Sequence, residues 1–429
     1  MRNDKKKLAA SNMSKNIGFI SFRISGTDGV SLETMKWADV LQRNGHHCFY
    51  LAGELDTPEN QTYVVPEAHF LHPEIKHLYN LAFFSSERPR ELTGGLHKYR
   101  NFLKERIYEF VRMFDIDVLI PQNVLTIPLN LSLGMALTEF IAETGIPTIA
   151  HHHDFFWERM RFLHNCVWDY LNSCYPPHLS SMQHVVINSS AQNQLALRTG
   201  ISSFIVPNVM EFEKPPAPMD DYSSDARTSI GLIDGSLLIL QPTRVVQRKG
   251  IEHAIELVRR VGMDAVLVIS HASGDEGHEY EHRIREYAEL LGVNAIFVQD
   301  VIDDKRGRTD DGRKIYSLQD IYRHADMVTY PSLQEGFGNA FLETIYYRKP
   351  VLVNNYEIYY YDIKPKGFDV IEMDGFITDS TVAATIETLK NPDRAEEMTD
   401  KNYRLGQKYY SYTVLEMNLQ TLINNFFGR

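Results

Sequence analysis

Glu335 and Glu343 lie on either side of a glycine-containing turn, in the segment PSLQEGFGNAFLE at 331–343. The preceding apolar residues predict a strand that ends at Tyr330, and a helix is predicted to begin near Gly338. The first turn of a helix has unpaired backbone N–H groups and a positive dipole end, so it favours an anion. Glu343, one turn into the helix, could accept hydrogen bonds from ribose hydroxyls. A helix start with two ordinary surface glutamates is the alternative.

Arg244 and Lys249 stand in a second strand–helix turn, PTRVVQRKGI. Two cations beside a helix N-terminus make an anion site that suits a leaving diphosphate. The side chain of Lys249 is expected to be open to solvent, so that removing it would hardly change stability. Exposed cations in a turn commonly bind nothing, but with the turn at 331–343 they suggest a diphosphate held from two sides.

Three histidines and an aspartate, HHHD at 151–154, lie at the carboxyl end of a predicted strand. Strand alternation places His151 and His153 on one face and His152 on the other. No Glu or Cys stands at a spacing typical of a metal site, so no metal is predicted. Packing of the imidazoles and ligand chemistry by one of them both remain open.

A glycine-containing turn, SGTDGVS at 25–31, precedes the first predicted helix. It is not the GxGxxG pattern, and no clear acidic residue follows about 20 positions later, so dinucleotide binding is not predicted. A glycine turn before a helix still lets the backbone approach a ligand closely.

The elements that must position these residues alternate between strand and helix. Short apolar runs in the first half predict strands at 17–22, 47–52, 117–121, 147–152, 185–188 and 203–206, with a helix over 133–143. A segment rich in Pro, Asp and Ser at 207–229 is the predicted linker. Beyond it, strands are predicted at 237–241, 265–269, 295–298, 327–330 and 350–354, and helices at 279–291, 318–325 and 339–347.

This alternation predicts an α/β fold of two Rossmann-like, doubly wound parallel-sheet domains that face each other across a cleft. The first domain is predicted at 17–206 and the second at 207–411. The charged segment DDKRGRTDDGR at 303–313 contains no apolar residue to anchor it. It is predicted to be a mobile surface loop, and a role as a lid is left open.

Composition and charge exclude several classes of protein. The chain has 429 residues, 43% hydrophobic, with a net charge of −12 that argues against a nucleic-acid partner. Three cysteines without metal-site spacing indicate reduced thiols, as in the cytoplasm.

Residues 1–16 lack a signal-peptide core and are predicted to be a disordered leader, and no apolar run long enough to span a membrane follows. A cationic helix at 98–112 could lie on a membrane surface, but interleaved glutamates favour a solvated face.

Together the motifs resemble the retaining glycosyltransferases of family 4, which have the two-domain GT-B fold. The similarity runs from Ile17 to about Asn355. It is carried by the Glu335-x7-Glu343 element, by Arg244 with Lys249-Gly250, by VINS at 186–189 and by VPNV at 206–209. These four elements occur in the order and spacing of the family, which makes the resemblance specific.

The resemblance implies roles for the matched residues. The implied catalytic set is His153, Arg244, Lys249 and Glu335, and the implied donor-binding set is Gly29, Val30, Phe337, Gly338, Asn339 and Glu343. The cations would hold the donor diphosphate, Glu335 with the backbone of 337–339 would hold the transferred sugar, and Glu343 the ribose. His153 best fits the family's histidine, with His152 as the fallback. A helix at 412–427 would pack back on the first domain.

The resemblance also implies a nucleotide-diphosphate sugar as donor, transfer of a hexose with retention, and no metal or other cofactor for the chemistry. The sequence departs from the family at 344–348 and at 359–361, so the donor base, sugar and acceptor are not carried over. Aromatic residues there suggest stacking on a sugar, and a small soluble polar acceptor is expected, a sugar or a glycosyl-glycerate. The alternatives are a sugar phosphorylase or nucleotide-sugar epimerase of the same fold, and a non-catalytic nucleotide-sugar sensor.

Overall fold

A computed structural model describes residues 14–26, 28–271, 278–303 and 305–428. Most of the predicted leader (1–13), Thr27 of the glycine turn and residue 304 of the charged segment lie outside the described residues. The chain divides into two compact units. One contains Met1–Asn208 with Thr413–Arg429, and the other contains Val209–Tyr412.

A parallel sheet forms the centre of the first unit. Its strands are β1 (Asn16–Ile20), β2 (His47–Ala52), β3 (Thr62–Val64), β4 (Val118–Pro121), β5 (Thr148–His152), β6 (Met182–Val186) and β7 (Ser203–Ile205). The spatial order is β3-β2-β1-β4-β5-β6-β7, with every neighbouring pair parallel. The direction of winding therefore reverses between β1 and β4. Apolar side chains such as Ile17, Phe19 and Ile120 are fully buried, as expected for strands covered on both faces.

The helices of the first unit follow these strands. They are α1 (Gly29–Arg43), α2 (Pro73–Phe83), α3 (Arg90–Met113), α4 (Leu131–Thr144), α5 (Met160–Leu163), α6 (Trp168–Cys174) and α7 (Ser189–Thr199). The predicted helix at 133–143 is confirmed within α4. That helix begins after Asn130, whose side chain accepts a hydrogen bond from Leu133 N, and it ends at Gly145 with φ +64°.

The second unit contains a second parallel sheet and a separate small one. Its strands are β8 (Leu237–Gln241), β9 (Ala265–Ile269), β10 (Ala295–Phe297), β11 (Ile302–Asp303), β12 (Gly307–Arg308), β13 (Lys314–Ser317), β14 (Met327–Tyr330), β15 (Val351–Asn354) and β16 (Ile371–Met373). The larger sheet has the order β10-β9-β8-β14-β15-β16 and is parallel throughout. Here the winding reverses between β8 and β14.

The helices of the second unit pack around the larger sheet. They are α8 (Ala226–Ser229), α9 (Ile251–Val261), α10 (Glu279–Leu291), α11 (Leu318–His324), α12 (Asn339–Tyr346), α13 (Asp379–Lys390) and α14 (Pro392–Tyr410). The last helix, α15 (Tyr412–Phe427), lies almost entirely in the first unit. There the side chain of Gln183 donates to the carbonyl of Leu422 over 2.8 Å.

The prediction of a loop without regular structure at 303–313 is wrong for the described part of that segment. β13 pairs with β11 in parallel and with β12 antiparallel, which makes a three-stranded sheet. The segment has no apolar residue to pack, but ion pairs attach it to the rest of the unit: Arg306 contacts the carboxylates of Asp220 and Asp320. Ion pairs to residues distant in sequence leave no hydrophobic pattern, so sequence periodicity could not predict this sheet.

The two larger sheets confirm the predicted class of doubly wound parallel α/β domains. Ligands of such sheets bind outside the carboxyl ends of the strands, where the winding reverses. That rule points to the turns after β8 and β14 in the second unit, and to those after β1 and β4 in the first. Among the described residues, no helix combines the length and apolar character required to cross a membrane.

Candidate functional site

The turns that follow β8 and β14 contact each other at the reversal point of the second unit. The backbone N–H of Leu333 donates to the carbonyl of Arg248 over 2.8 Å. Gly250 lies at this contact with φ +60°, and a Cβ at that position would stand 2.6 Å from the carbonyl oxygen of Pro331. Glycine both adopts this backbone conformation and leaves the space, so it allows the two turns to meet.

Lys249 and Glu335 form an ion pair where the two turns meet. The ammonium of Lys249 donates to Oε1 of Glu335, and Nη1 of Arg248 lies 3.5 Å from Oε2. The side chains of Lys249 and Glu335 are only 11% and 9% exposed. A buried charge requires a partner of opposite sign, and here each residue supplies it for the other.

Burial and pairing act in opposite directions on the pKa of Glu335. Burial alone raises the pKa, but the charge and hydrogen bond of Lys249 outweigh it, and the pKa of Glu335 lies below its ordinary value. Burial lowers the pKa of Lys249, and the Glu335 carboxylate opposes that shift without cancelling it. Glu335 is therefore a carboxylate at neutral pH.

The expectation that Lys249 is open to solvent is wrong. Lys249 is buried. Its ammonium lies 5.8 Å from the centre of the Tyr330 ring and contacts Glu335. The sequence could not show this, because the partner of Lys249, Glu335, lies in the turn after β14, far along the chain.

Arg244, in the same turn, is exposed, and its charge contributes to the lowered pKa of Lys249. Three cations thus lie at these two turns, and two of them, Lys249 and Arg248, contact the carboxylate of Glu335. This cluster keeps net positive charge after the ion pair is formed. Arg248 was not among the predicted site residues, although its position beside Lys249 was a usable signal.

The backbone of residues 337–339 forms the start of α12. Gly338 has φ +119°, and a Cβ there would lie 2.5 Å from the hydroxyl oxygen of Tyr356. That hydroxyl donates to the carbonyl of Phe337 over 2.9 Å, and this hydrogen bond stabilises the turn. The structure thus places Phe337, Gly338 and Asn339 at the N-terminus of α12, a few residues after Glu335.

Glu343 lies on α12, and one of its carboxylate oxygens accepts a hydrogen bond of 3.0 Å from the hydroxyl of Tyr322 on α11. Tyr322 is itself buried, and its pKa is raised well above the ordinary value by burial and then by the charge of Glu343. Tyr322 therefore stays a neutral donor that orients this carboxylate. No sequence spacing pointed to it, since α11 and α12 are separate elements.

In the first unit, Asp28 caps α1 just before Gly29 and Val30. Its side chain accepts hydrogen bonds from the N–H of Val30 (3.1 Å) and of Ser31 (3.2 Å). Gly29 is exposed at the first position of the helix, and Val30 is partly exposed. The N–H of Val30 is thus already bonded to the cap.

The three histidines alternate along β5 as predicted. The rings of His151 and His153 lie 4.3 Å apart, whereas His152 faces the other way and bonds His184 over 2.9 Å. His151 is fully buried, with its ring stacked 4.0 Å from that of Trp37. His151 and His152 are thus packing residues beneath the surface.

His153 is the partly exposed member of this group. Its backbone N–H donates to Oδ1 of Asn123 over 3.0 Å, and its Nε2 lies 3.3 Å from the side-chain oxygen of Gln122. Burial lowers the pKa of His153 to about 4, although the nearby charge of Asp28 opposes this shift. His153 is therefore neutral at physiological pH. Gln122 and Asn123 were not predicted, although polar residues directly after an apolar strand were a usable signal.

Comparison with known proteins identifies relatives of this chain. Residues 224–405 match the family described as "Glycosyl transferases group 1". The chain is 33% identical over 381 residues to the mannosylglucosylglycerate synthase of Petrotoga mobilis, a match that covers 83% of this chain and 86% of that protein. It is 31% identical to the mannosylglucosylglycerate synthase of Thermotoga maritima, over 93% of this chain and 97% of that protein.

Among solved structures, a glycosyltransferase from Rickettsia africae has a similar fold. Its TM-score is 0.69, and the match covers 97% of this chain and 99% of that chain at 11% sequence identity. At that identity the similarity extends to the fold alone.

Proposed function

This chain belongs to the group 1 glycosyl transferases, and we propose that it transfers a mannosyl group from a nucleoside diphosphate sugar to a hydroxyl of a glycosyl-glycerate, with retention of configuration. The two relatives that carry the name mannosylglucosylglycerate synthase support the sugar and the acceptor. The contact of Lys249 with Glu335 at the reversal point of the second sheet is the structural observation that carries the proposal.

The cations of the second unit are suited to a leaving diphosphate. In the proposed reaction the bond between the anomeric carbon and the diphosphate oxygen breaks, and negative charge develops on that oxygen. Exposed Arg244 and buried Lys249 lie beside a helix N-terminus, where fixed positive charge stabilises such an oxygen without reorganising. The proton of the acceptor hydroxyl passes to the leaving diphosphate on the same face as the new bond forms.

The two glutamates serve different parts of the donor in this proposal. Glu335, an anion beside the cations, would face the sugar and favour the positive charge that develops on the anomeric carbon. The backbone at Phe337, Gly338 and Asn339 would contact the sugar hydroxyls. Glu343, already oriented by Tyr322, would accept hydrogen bonds from the ribose.

The first unit supplies the remaining proposed contacts. Neutral, partly exposed His153 would bond a hydroxyl of the transferred sugar, because its pKa keeps it uncharged. Gly29 and Val30 would approach the donor through the backbone at the start of α1. A diphosphate at the Val30 N–H would have to share that donor with Asp28.

The direct test is to incubate the protein with UDP-, GDP- or ADP-mannose and glucosylglycerate, and to measure product by mass spectrometry. We expect a gain of one hexosyl mass with one of the three nucleotides, and an axial anomeric configuration, as in the donor, by NMR. Inversion of the anomeric centre would reject the retaining mechanism. Transfer that requires inorganic phosphate would favour a phosphorylase, and conversion of the donor sugar without acceptor would favour an epimerase. Donor binding without any turnover would favour a sensor.

A further inference from the structure

The segment 303–313 is fixed to the second unit by charge and by one tyrosine. Arg306 contacts Asp220 over 2.5 Å and Asp320 over 2.5 Å. The hydroxyl oxygen of Tyr222 lies 2.8 Å from one carbonyl oxygen on β12 and 2.8 Å from one on β13, so its hydrogen is shared between them. These contacts hold the small sheet in one position, so the side chains that it presents have defined places.

Beside the small sheet lies an open cavity of about 330 Å³, which is within the range of small-molecule sites. The residues that line it are Asp225, Ser229, Val301, Arg308, Arg313, Lys314 and Tyr316. Three of these side chains are positive and one is negative, a net charge of +2. None belongs to the turns after β8 and β14, so the cavity is separate from the proposed donor site.

The single carboxylate of the lining is already neutralised. Both oxygens of Asp225 bind the ammonium of Lys314, at 2.8 and 2.9 Å, and one also accepts from the hydroxyl of Tyr316 over 2.8 Å. These bonds hold the Asp225 side chain against Lys314 and Tyr316. Of the two arginines, Arg313 forms an ion pair with the exposed carboxylate of Asp311 outside the lining, whereas Arg308 bonds a carbonyl.

Both guanidinium groups keep most of their donors available. Nη1 of Arg308 donates to the carbonyl of Gly312 over 2.7 Å, and Nε of Arg313 donates to Asp311 over 2.8 Å. Each bond uses one of the five N–H groups of a guanidinium, and within the described part of the chain the remaining N–H groups have no protein acceptor. Arg308 and Arg313 are both exposed to solvent at the cavity.

Two guanidinium forks at one cavity suit an oxyanion. The guanidinium fork fits the geometry of phosphate, and a phosphate monoester carries about −1.5 to −2 charges at pH 7. We propose that this cavity is a second binding site, for a small molecule that carries a phosphate group.

The test is calorimetric titration of inorganic phosphate into the full chain, into the Arg308→Gln/Arg313→Gln variant and into Lys305→Gln. Lys305 is an exposed cation of the same segment outside the cavity lining, so it is the matched control. Phosphate bound at the turns after β8 and β14 contributes equally to all three proteins and cancels in the comparison. We expect saturable binding at the cavity in the wild type and in Lys305→Gln, and affinity weaker by roughly tenfold or more in the double variant.

Equal phosphate affinity in the double variant and in Lys305→Gln would overturn the proposal, as would the absence of saturable binding in the wild type. Acetate serves as the carboxylate probe, and acetate binding as tight as phosphate binding would reject the phosphate assignment. Thermal unfolding checks that the variants are folded. If the double variant is not, Arg308→Gln alone replaces it with the same expected direction. The result does not depend on turnover, so failure here and failure of the proposed transferase activity are distinguishable.

Discussion

Replacing Lys249 with Ala should destabilise the protein by about 3 kcal/mol near pH 8. Lys249 and Glu335 are 11% and 9% exposed, so the variant leaves a buried carboxylate without its cation. Breaking a buried pair in this way costs roughly 3–5 kcal/mol. Arg248 stays 3.5 Å from Glu335 and is 38% exposed, so it compensates only in part, and the lower end of that range is expected.

The pH dependence of this loss follows from the pKa of Glu335. In the wild type that pKa is below its ordinary value, so the pair contributes fully above the ordinary pKa and is lost as pH falls through the folded-state pKa. Without Lys249, the effect of burial dominates and raises the pKa of Glu335. The destabilisation of the variant should therefore be largest at pH 8 and shrink towards pH 5, as Glu335 takes up a proton.

Urea unfolding followed by far-UV circular dichroism at both pH values measures this effect. Trp37, Trp157 and Trp168 are the three tryptophans of the chain and all lie in the first unit, so fluorescence provides a reference for that unit. Turnover of Lys249→Ala should also fall roughly 100-fold. A Lys249→Met/Glu335→Gln variant removes both charges, and should recover most of the stability but not the activity.

Two results would refute the reasoning for Lys249. One is an unfolding midpoint for Lys249→Ala at pH 8 equal to that of the wild type. The other is a loss of stability that is the same at pH 5 and pH 8. Either would mean that Glu335 is not a buried carboxylate that depends on Lys249. Lys305→Ala, an exposed cation of the same unit, should change neither midpoint and is the control.

Three further predictions follow. Glu335→Gln should lower kcat with little change in the Kd of free nucleoside diphosphate, whereas Glu343→Ala should weaken nucleotide binding and leave kcat nearer wild type. Calorimetry gives the Kd and steady-state rates give kcat. The opposite pattern would mean that the donor lies in the site in the reverse orientation. Turnover should be much the same in EDTA, and a complete loss reversed by a divalent metal would contradict the prediction that no metal is needed. Burial lowers the pKa of His184 from 6.5 to about 4, so between these pH values the unfolded chain takes up a proton that the folded chain does not. The free energy of unfolding should therefore be highest above pH 6.5 and fall towards pH 4, by up to about 3 kcal/mol for this residue. Tm against pH should show this slope, and His184→Gln should reduce it; an equal slope in both proteins would exclude His184 as its cause.

Local sequence patterns determined much of the secondary structure. The predicted strands at 237–241 and 265–269 and the helix at 279–291 have the same bounds in the structure. These elements carry their signal locally, as an apolar run or a 3.6-residue period closed by glycine at the helix end. The sequence did not predict the short strands Thr62–Val64, 307–308 and 314–317, which carry no such signal.

The sequence also nominated the charged residues of the candidate site, but only the tertiary structure decided which of them meet. Lys249 and Glu335 are 86 positions apart in the chain, and they pair because β8 and β14 are neighbours in the sheet. The same holds for His152 and His184, which join β5 to β6. Residue type and spacing specify what chemistry a side chain offers, whereas its partner, its burial and hence its pKa depend on which strands lie side by side.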